Sequence, residues 1–281
     1  MSSVRPPSRW TRRGFIGASV TAAASGLIGI DAFVLEARQV EVTHHLVRVP
    51  GLPAALDGVT LAHLTDTHLP SNAAAAREAH DAVRALAPDL VVYTGDIVEG
   101  REGLGAAREL MQGARGSAGT FAVLGNWEHT HEVTADVAAA AYGTAGCHLL
   151  INRLQQVQVR GVAVEIRAFD DFNVGMPSLG LAEEVGSAVL RIWATHAPGL
   201  ARALPSAPTP PTVMLAGHTH GGQIRLPWLP PVLPSGSGGF VAGWYAPNGV
   251  PLYVSRGVGT SDIRARFRCP AEVPVFTFRP A

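Results

Sequence analysis

The stretch 59–68 reads VTLAHLTDTH. An apolar run, Val59–Leu64, stops at Thr65-Asp66, and His68 follows two residues on. A short apolar run that ends in polar turn residues reads as a buried strand. The same design recurs in DLVVYTGD (89–96), TFAVLGNW (120–127), VLRIWATH (189–196) and TVMLAGHTH (212–220). In open α/β sheets, ligands gather beyond the carboxyl ends of the strands. The pattern therefore sets Asp66, Asp96, Asn126, His196 and His218 at strand ends facing one common region.

The intervening sequence supports an α/β fold. Helices are expected at Ala73–Ala87, halted by Pro88, at Leu104–Ala114 and at Val133–Ala141. Leu149–Ile151, Gln155–Arg160 and Val162–Ala168 read as successive antiparallel strands. Val40–Val49 opens the folded part as a strand, and Leu252–Ser255 and Val273–Phe278 close it. Pro227–Gly239 is rich in Pro and Gly and reads as a loop. There is no internal repeat.

Composition narrows the chemistry. A chain of 281 residues builds one sizeable core, or at most two small ones. Its 22 basic and 22 acidic residues cancel, so no global field favours nucleic acid. Every basic residue is Arg. Without Lys there is no phosphate-loop lysine, no Schiff base and no Ser–Lys pair. No G-x-S-x-G elbow is present either. Cys147 and Cys269 are expected as buried thiols rather than a disulfide.

Residues 1–38 read as a leader and 39–281 as the catalytic domain. Arg5, Arg9, Arg12 and Arg13 make a basic start, and an Ala/Gly-rich apolar stretch runs from Phe15 to Ile30. Thr11-Arg12-Arg13-Gly14-Phe15-Ile16 resembles a twin-arginine export signal. That resemblance implies passage through the twin-arginine translocase to the cell envelope, with membrane association if the leader is retained.

The strand-end residues form a ligand set of nitrogen and oxygen donors without thiolate. Such a set suits divalent Mn, Fe, Zn or Co. Asp66, His68, Asp96, Asn126, His196, His218 and His220 are too many for one ion. They fit two ions sharing a carboxylate, a pair that clamps a phosphoryl group and acidifies a water for in-line attack. Asp66-x-His68, Gly95-Asp96, Gly125-Asn126, His196 and Gly217-His218-Thr219-His220 together resemble the calcineurin-like metallophosphoesterases, in order and in spacing. The flanks Gly221-Gly222-Gln223 and Leu252–Ser261 resemble a bacterial envelope subgroup. The resemblance implies a four-layer α/β/β/α sandwich with two mixed sheets. It also implies that Asp66, His68 and His220 hold one ion, that Asn126, His196 and His218 hold the other, and that Asp96 bridges them. The activity implied is hydrolysis of a phosphomonoester or, in preference, a phosphodiester or pyrophosphate, on a phosphorylated small molecule or a lipid-like substrate. A dimetal sensor of phosphoryl ligands is the alternative.

One position departs from the family. Trp127 stands where the family carries a His that contacts phosphate and aids the leaving group. His129 or His131 is the candidate stand-in, and Arg256 the candidate phosphate contact. Arg264, Arg266 and Arg268 read as a solvated strand edge. Asp170-Asp171 reads as a turn, with support of the metal ligands as the alternative. His63 reads as packed. Trp228, Phe240, Trp244 and Tyr245 either pack the Pro/Gly-rich loop down or meet the acyl part of a substrate.

Overall fold

The computed structural model describes residues 39–281, so the expected leader, 1–38, lies outside the described residues. The alternating pattern produces two six-stranded mixed sheets. The first runs β1 (Val40–Val49), β12 (Ala271–Pro280), β2 (Thr60–Leu64), β3 (Leu90–Thr94), β4 (Gly119–Val123), β5 (Cys147–Leu149). The second runs β10 (Gly243–Tyr245), β11 (Leu252–Val254), β9 (Val213–Ala216), β8 (Leu190–Ala194), β7 (Val162–Ala168), β6 (Arg153–Val159). In each sheet the strands that carry the polar ends are parallel neighbours: β2, β3 and β4 in one, β8 and β9 in the other. Parallel pairing is what delivers their carboxyl ends to the same side.

Alternation along each strand sorts side chains into layers. Leu61, Val92, Phe121, Ile166, Ile192 and Leu215 meet between the sheets. Ala62, Leu64, Val91 and Tyr93 face the opposite way, onto helices α1 (Ala73–Leu86), α2 (Leu104–Gly113) and α4 (Ala135–Thr144). Trp193, Met214 and Leu252 form the outer face of the second sheet. There the cover is thin: the four-residue helix α5 (Leu200–Ala203), short turns and Phe240. The four layers expected from the family resemblance are present, with this last one mostly loop.

Two local expectations shift, and one short helix was not expected. Leu149–Ile151 does not open an antiparallel meander. The strand is Cys147–Leu149, and it joins the first sheet parallel to β4. Its approach through α4 makes a β-α-β crossover, which requires parallel strands; of the three strands expected in that meander, β6 and β7 do pair antiparallel. The helix expected at Val133–Ala141 begins at Ala135, because Thr134 caps it by accepting from the Val137 amide, and continues to Thr144. A five-residue helix, α3 (Asn126–Thr130), follows β4 directly. Both cysteines are buried thiols rather than a disulfide, as expected.

The loop aromatics divide. Phe240 packs on Tyr245, with ring centroids 4.7 Å apart, under the Arg202 guanidinium. Trp244 packs on His45, Tyr253 and Phe276. Trp228 stays exposed.

His63 is fully buried, and its Nε2 lies 2.7 Å from Thr94 Oγ1. Burial depresses its pKa to about 3. The unfolded chain therefore takes up a proton near pH 6.5 that the folded chain refuses, and stability falls as pH drops from 6.5 toward 3. In urea melts across that range, His63→Gln is expected to flatten the decline by about 1.4 kcal/mol per pH unit. An unchanged slope would assign the acid sensitivity elsewhere.

Candidate metal centre

Five of the seven strand-end residues leave their strands in the left-handed backbone region. Asp66, His68, Asp96, His218 and His220 have φ between 43° and 71°. Such conformations cost non-glycine residues about 1–3 kcal/mol each and concentrate at functional sites. Here the sharp turn aims residues i and i+2 into one space. Glycine supplies the room beside them. A Cβ at Gly217 would overlap Thr65 Oγ1 and Asp66 Oδ2.

The side chains converge as two triads, Asp66/His68/His220 and Asp96/His196/His218, all buried. His68 Nε2 lies 3.1 Å from His220 Nε2, and Asp66 Oδ1 lies 3.4 Å from the latter. In the second group His196 Nε2 lies 3.1 Å from His218 Nδ1 and 3.0 Å from Asn126 Oδ1. Asp96 Oδ2 reaches both groups, 3.2 Å from His196 Nε2 and 3.7 Å from His68 Nε2. Donor atoms about 3 Å apart match ligands held about 2.0–2.2 Å from a shared ion. The structure thus brings together the residues that the resemblance expects around each ion, with Asp96 near both groups.

The far nitrogens of the histidines fit the same purpose. His196 Nδ1 lies 2.7 Å from the Thr94 carbonyl, His220 Nδ1 3.2 Å from that of Gly259, and His218 Nε2 2.6 Å from that of Ser235. Donation to a carbonyl leaves the opposite nitrogen's lone pair for the metal and fixes the ring. His68 Nδ1 is buried without a partner.

The charges are arranged for cations. Burial pushes the Asp66 carboxyl up to about 6, with Asp96 adding to the rise. Burial also opposes ionisation of Asp96. The charge and hydrogen bond of His196, the His68 charge and the Trp127 amide outweigh it and hold Asp96 below the usual carboxylate range. Burial depresses His68 to about 4 and lowers His218 and His220, so these rings are neutral ligands at pH 7. His196 is raised, because Asp96 and Asp66 outweigh its burial.

The chain resembles proteins of one family over most of its length. Residues 59–226 match the calcineurin-like phosphoesterase superfamily domain. The chain belongs to that superfamily. It is a phosphoesterase hydrolase, and the two Asp/His groups fit the dinuclear metal centre that the family binds. It is 28% identical to the uncharacterized metallophosphoesterase YkuE of Bacillus subtilis over 96% of this chain and 98% of that protein. It is 29% identical to the phosphodiesterase YaeI of Escherichia coli over 66% of this chain and 68% of that one. A second Bacillus subtilis relative, the uncharacterized metallophosphoesterase YkoQ, is 23% identical over 79% of this chain and 84% of its own length.

Two expectations about this phosphoesterase need correction. Arg256 is not free to meet phosphate. Its guanidinium lies 2.9 Å from Glu41 and 3.3 Å from Glu272, a clamp between β1 and β12, and it does not line the cleft over the metal groups. Nor is Arg266 on a solvated edge. It is fully buried and donates to the carbonyls of Arg256, Gly257, Gly259 and Cys269. It thereby shapes the loop whose Gly259 carbonyl orients His220. Alternation with Ala265 and Phe267 suggested a strand, whereas the segment is a folded loop wrapped around Arg266.

His129 stands apart from the cleft. Its Nε2 lies 2.7 Å from Asp170 Oδ1, its side chain is 26% exposed, and its pKa is raised chiefly by that hydrogen bond. Asp170-Asp171 is a turn, as Asp171 Oδ2 accepts from the Asn173 and Val174 amides, but Asp170 also orients His129. Trp127 does line the cleft. Its ring meets His68 edge-on at 5.1 Å and stacks on His131 at 4.6 Å, and its amide donates to Asp96 Oδ1.

Glu128 is the site residue that sequence reading passed over. It is fully buried and accepts four backbone N–H bonds, from Asp96, Ile97, Val98 and Gly125. It ties the turn carrying Asp96 to the turn carrying Asn126. An acid two residues beyond a ligand Asn was the available signal. Glu128→Gln puts an amide N–H₂ against backbone donors and is expected to weaken metal binding about 10–100-fold, read by competition with a chromogenic chelator. Metal affinity is also expected to fall as pH drops below about 6, where Asp66 takes up a proton. Equilibrium dialysis from pH 8 to 5 checks this, and a flat profile would exclude Asp66 as a ligand.

Proposed function

We propose that this phosphoesterase hydrolyses a phosphodiester or pyrophosphate, in preference to a monoester, on a substrate with an apolar, lipid-like portion. The observation that carries the reading is the continuity of the metal groups with an apolar cleft. The cleft is about 530 Å³ and has Asp96, Asn126, His218 and His220 at its base. Trp127, Ile224, Leu226, Leu229, Leu233 and Ile263 form its walls. The charged phosphoryl group belongs with the ligand side chains, and a hydrocarbon substituent with the walls.

Asp66, His68 and His220 would hold one divalent ion and Asn126, His196 and His218 the other, with Asp96 shared; Mn, Fe, Zn or Co suits these donors. When bound, such ions supply Lewis-acid stabilisation of the phosphoryl oxygens and an acidified water. The chain's own residues do the rest. The Trp127 amide and the Glu128 latch fix Asp96, and carbonyl partners fix three of the histidine rings. Trp127 walls off the side of His68 and has no proton to exchange. His129, hydrogen-bonded to Asp170 and on the same short helix as Asn126, is our candidate for proton delivery to a leaving group that extends beyond the cleft. The bulk of Trp127, in place of a smaller polar ring, favours an apolar substituent over a hydrated one.

The arginine-rich start supports an exported enzyme. Arg12-Arg13 ahead of the apolar stretch is the basis for proposing passage through the twin-arginine translocase and a cell-envelope location.

Hydrolysis of bis-p-nitrophenyl phosphate, with metals added back to stripped protein, tests the reading. Turnover is expected to require metal and to vanish in Asp96→Asn. His129→Gln is expected to lose about 10²-fold on an alkyl phosphodiester and little on the p-nitrophenyl ester, whose leaving group needs no proton. Two metals bound per chain without turnover on any ester would instead favour a sensor of phosphoryl ligands, the role that Trp127 would suit.

A further inference from the structure

The metal-centre end of the molecule carries an apolar surface that the reaction does not require. Trp228 is 76% exposed, Leu229 57% and Val232 88%, all on the loop that follows β9. Ile263, 54% exposed, stands on the loop that follows β11 and shares the lining of the same cleft. Strands β9 and β11 are parallel, so both loops leave the sheet at the same end. Val174 and Met176 are exposed on the loop after β7, a strand of the same direction through β8. A hydrated surface gains nothing from such residues, and clustered ones mark a contact with another apolar phase.

The surroundings indicate which phase. The same two loops carry Arg225, Arg264 and Arg268, with Asp262 the acidic residue in the segment 261–268. Arg225 anchors its loop through the Gly221 carbonyl, and Arg264 donates to Ser71 Oγ from an exposed position. An exposed Trp beside aliphatic side chains, on loops that also carry arginines, is the composition that settles at a lipid–water boundary. There the ring lies at headgroup depth and the cations meet anionic headgroups. The tip also leads inward. Leu229 and Val232 are at once exposed and part of the cleft wall, so hydrocarbon can pass from a bilayer into the cleft without crossing water.

We infer that the loop 226–234, with Ile263, docks this enzyme on an anionic lipid surface, with the cleft mouth facing the bilayer. The docking is a binding property distinct from turnover. No helix among the described residues is long and apolar enough to cross a membrane, so the contact is one of surface insertion.

The test is sedimentation of the full chain with vesicles of phosphatidylcholine, alone and mixed with phosphatidylglycerol. Wild type is expected to partition onto the mixed vesicles, more weakly at high salt, with a blue shift of tryptophan fluorescence. Trp228→Ser is expected to reduce partitioning about tenfold. Trp228→Phe is expected to keep the partitioning and lose the blue shift. Both variants should hydrolyse soluble bis-p-nitrophenyl phosphate at the wild-type rate, so failure to dock is separable from failure of catalysis. Residues 1–38 are common to all three proteins and cannot produce a difference between them. Equal partitioning of wild type and Trp228→Ser would overturn the inference. So would wild type that ignores both vesicles and instead self-associates through Trp228.

Discussion

Two carboxylates and four imidazoles, all but removed from water, share one small volume. That crowding is the constraint on which the rest of the structure depends. Buried anions are tolerable only when paired with cations or hydrogen-bond donors. Asp66 and Asp96 receive both, the first from the Thr65 hydroxyl and the His218 amide, the second from the Trp127 amide. The left-handed turns at five of the ligands are strain held by the packed sheets beneath. Two divalent ions held there would bring positive charge to these carboxylates.

A second layer of side chains converts that crowding into a fixed geometry. Glu128 joins the Asp96 and Asn126 turns through four amides. Arg266 gathers the carbonyls of the 256–259 loop, one of which orients His220. Arg256, tied to Glu41 and Glu272, secures the β1–β12 pair at the sheet edge. None of these three lines the cleft, and each is an ionisable side chain largely removed from water, where an unpaired partner would be costly. They act on the reaction only through the positions of the ligands.

The site is asymmetric. On one side lies Trp127 and the apolar cleft that opens through Leu229 and Val232 to an exposed aromatic tip. Outside the cleft lies the polar pair His129–Asp170, with His129 on the same short helix as Asn126. That division underlies the proposal of a substrate with an apolar portion. The thin outer layer of the second sheet makes it possible, since loops rather than helices cover the carboxyl ends there and are free to differ in character.

The candidate metal ligands were legible in the sequence because local rules bring them together. Short apolar runs become strands, parallel neighbours share an end, and a polar residue just past that end points to a common region. The clustering of the seven candidates and the four layers follow from that pattern together with the family resemblance. The lengths of α1 and α2 came with it, since helix periodicity and Pro88 are also local. Contacts between distant segments were beyond its reach. Whether Arg256 met phosphate or Glu41 depended on β1 pairing with β12, some 230 residues apart in sequence. Whether Arg266 lay outside or inside depended on a loop folding around it. The position of β5 depended on a crossover through α4, and the partner of His129 on the turn after β7. Sequence spacing determines which groups can bind metal; only the tertiary structure decides which charges are already satisfied and which face the cleft, because pairing in three dimensions neutralises a side chain whatever its local pattern suggests.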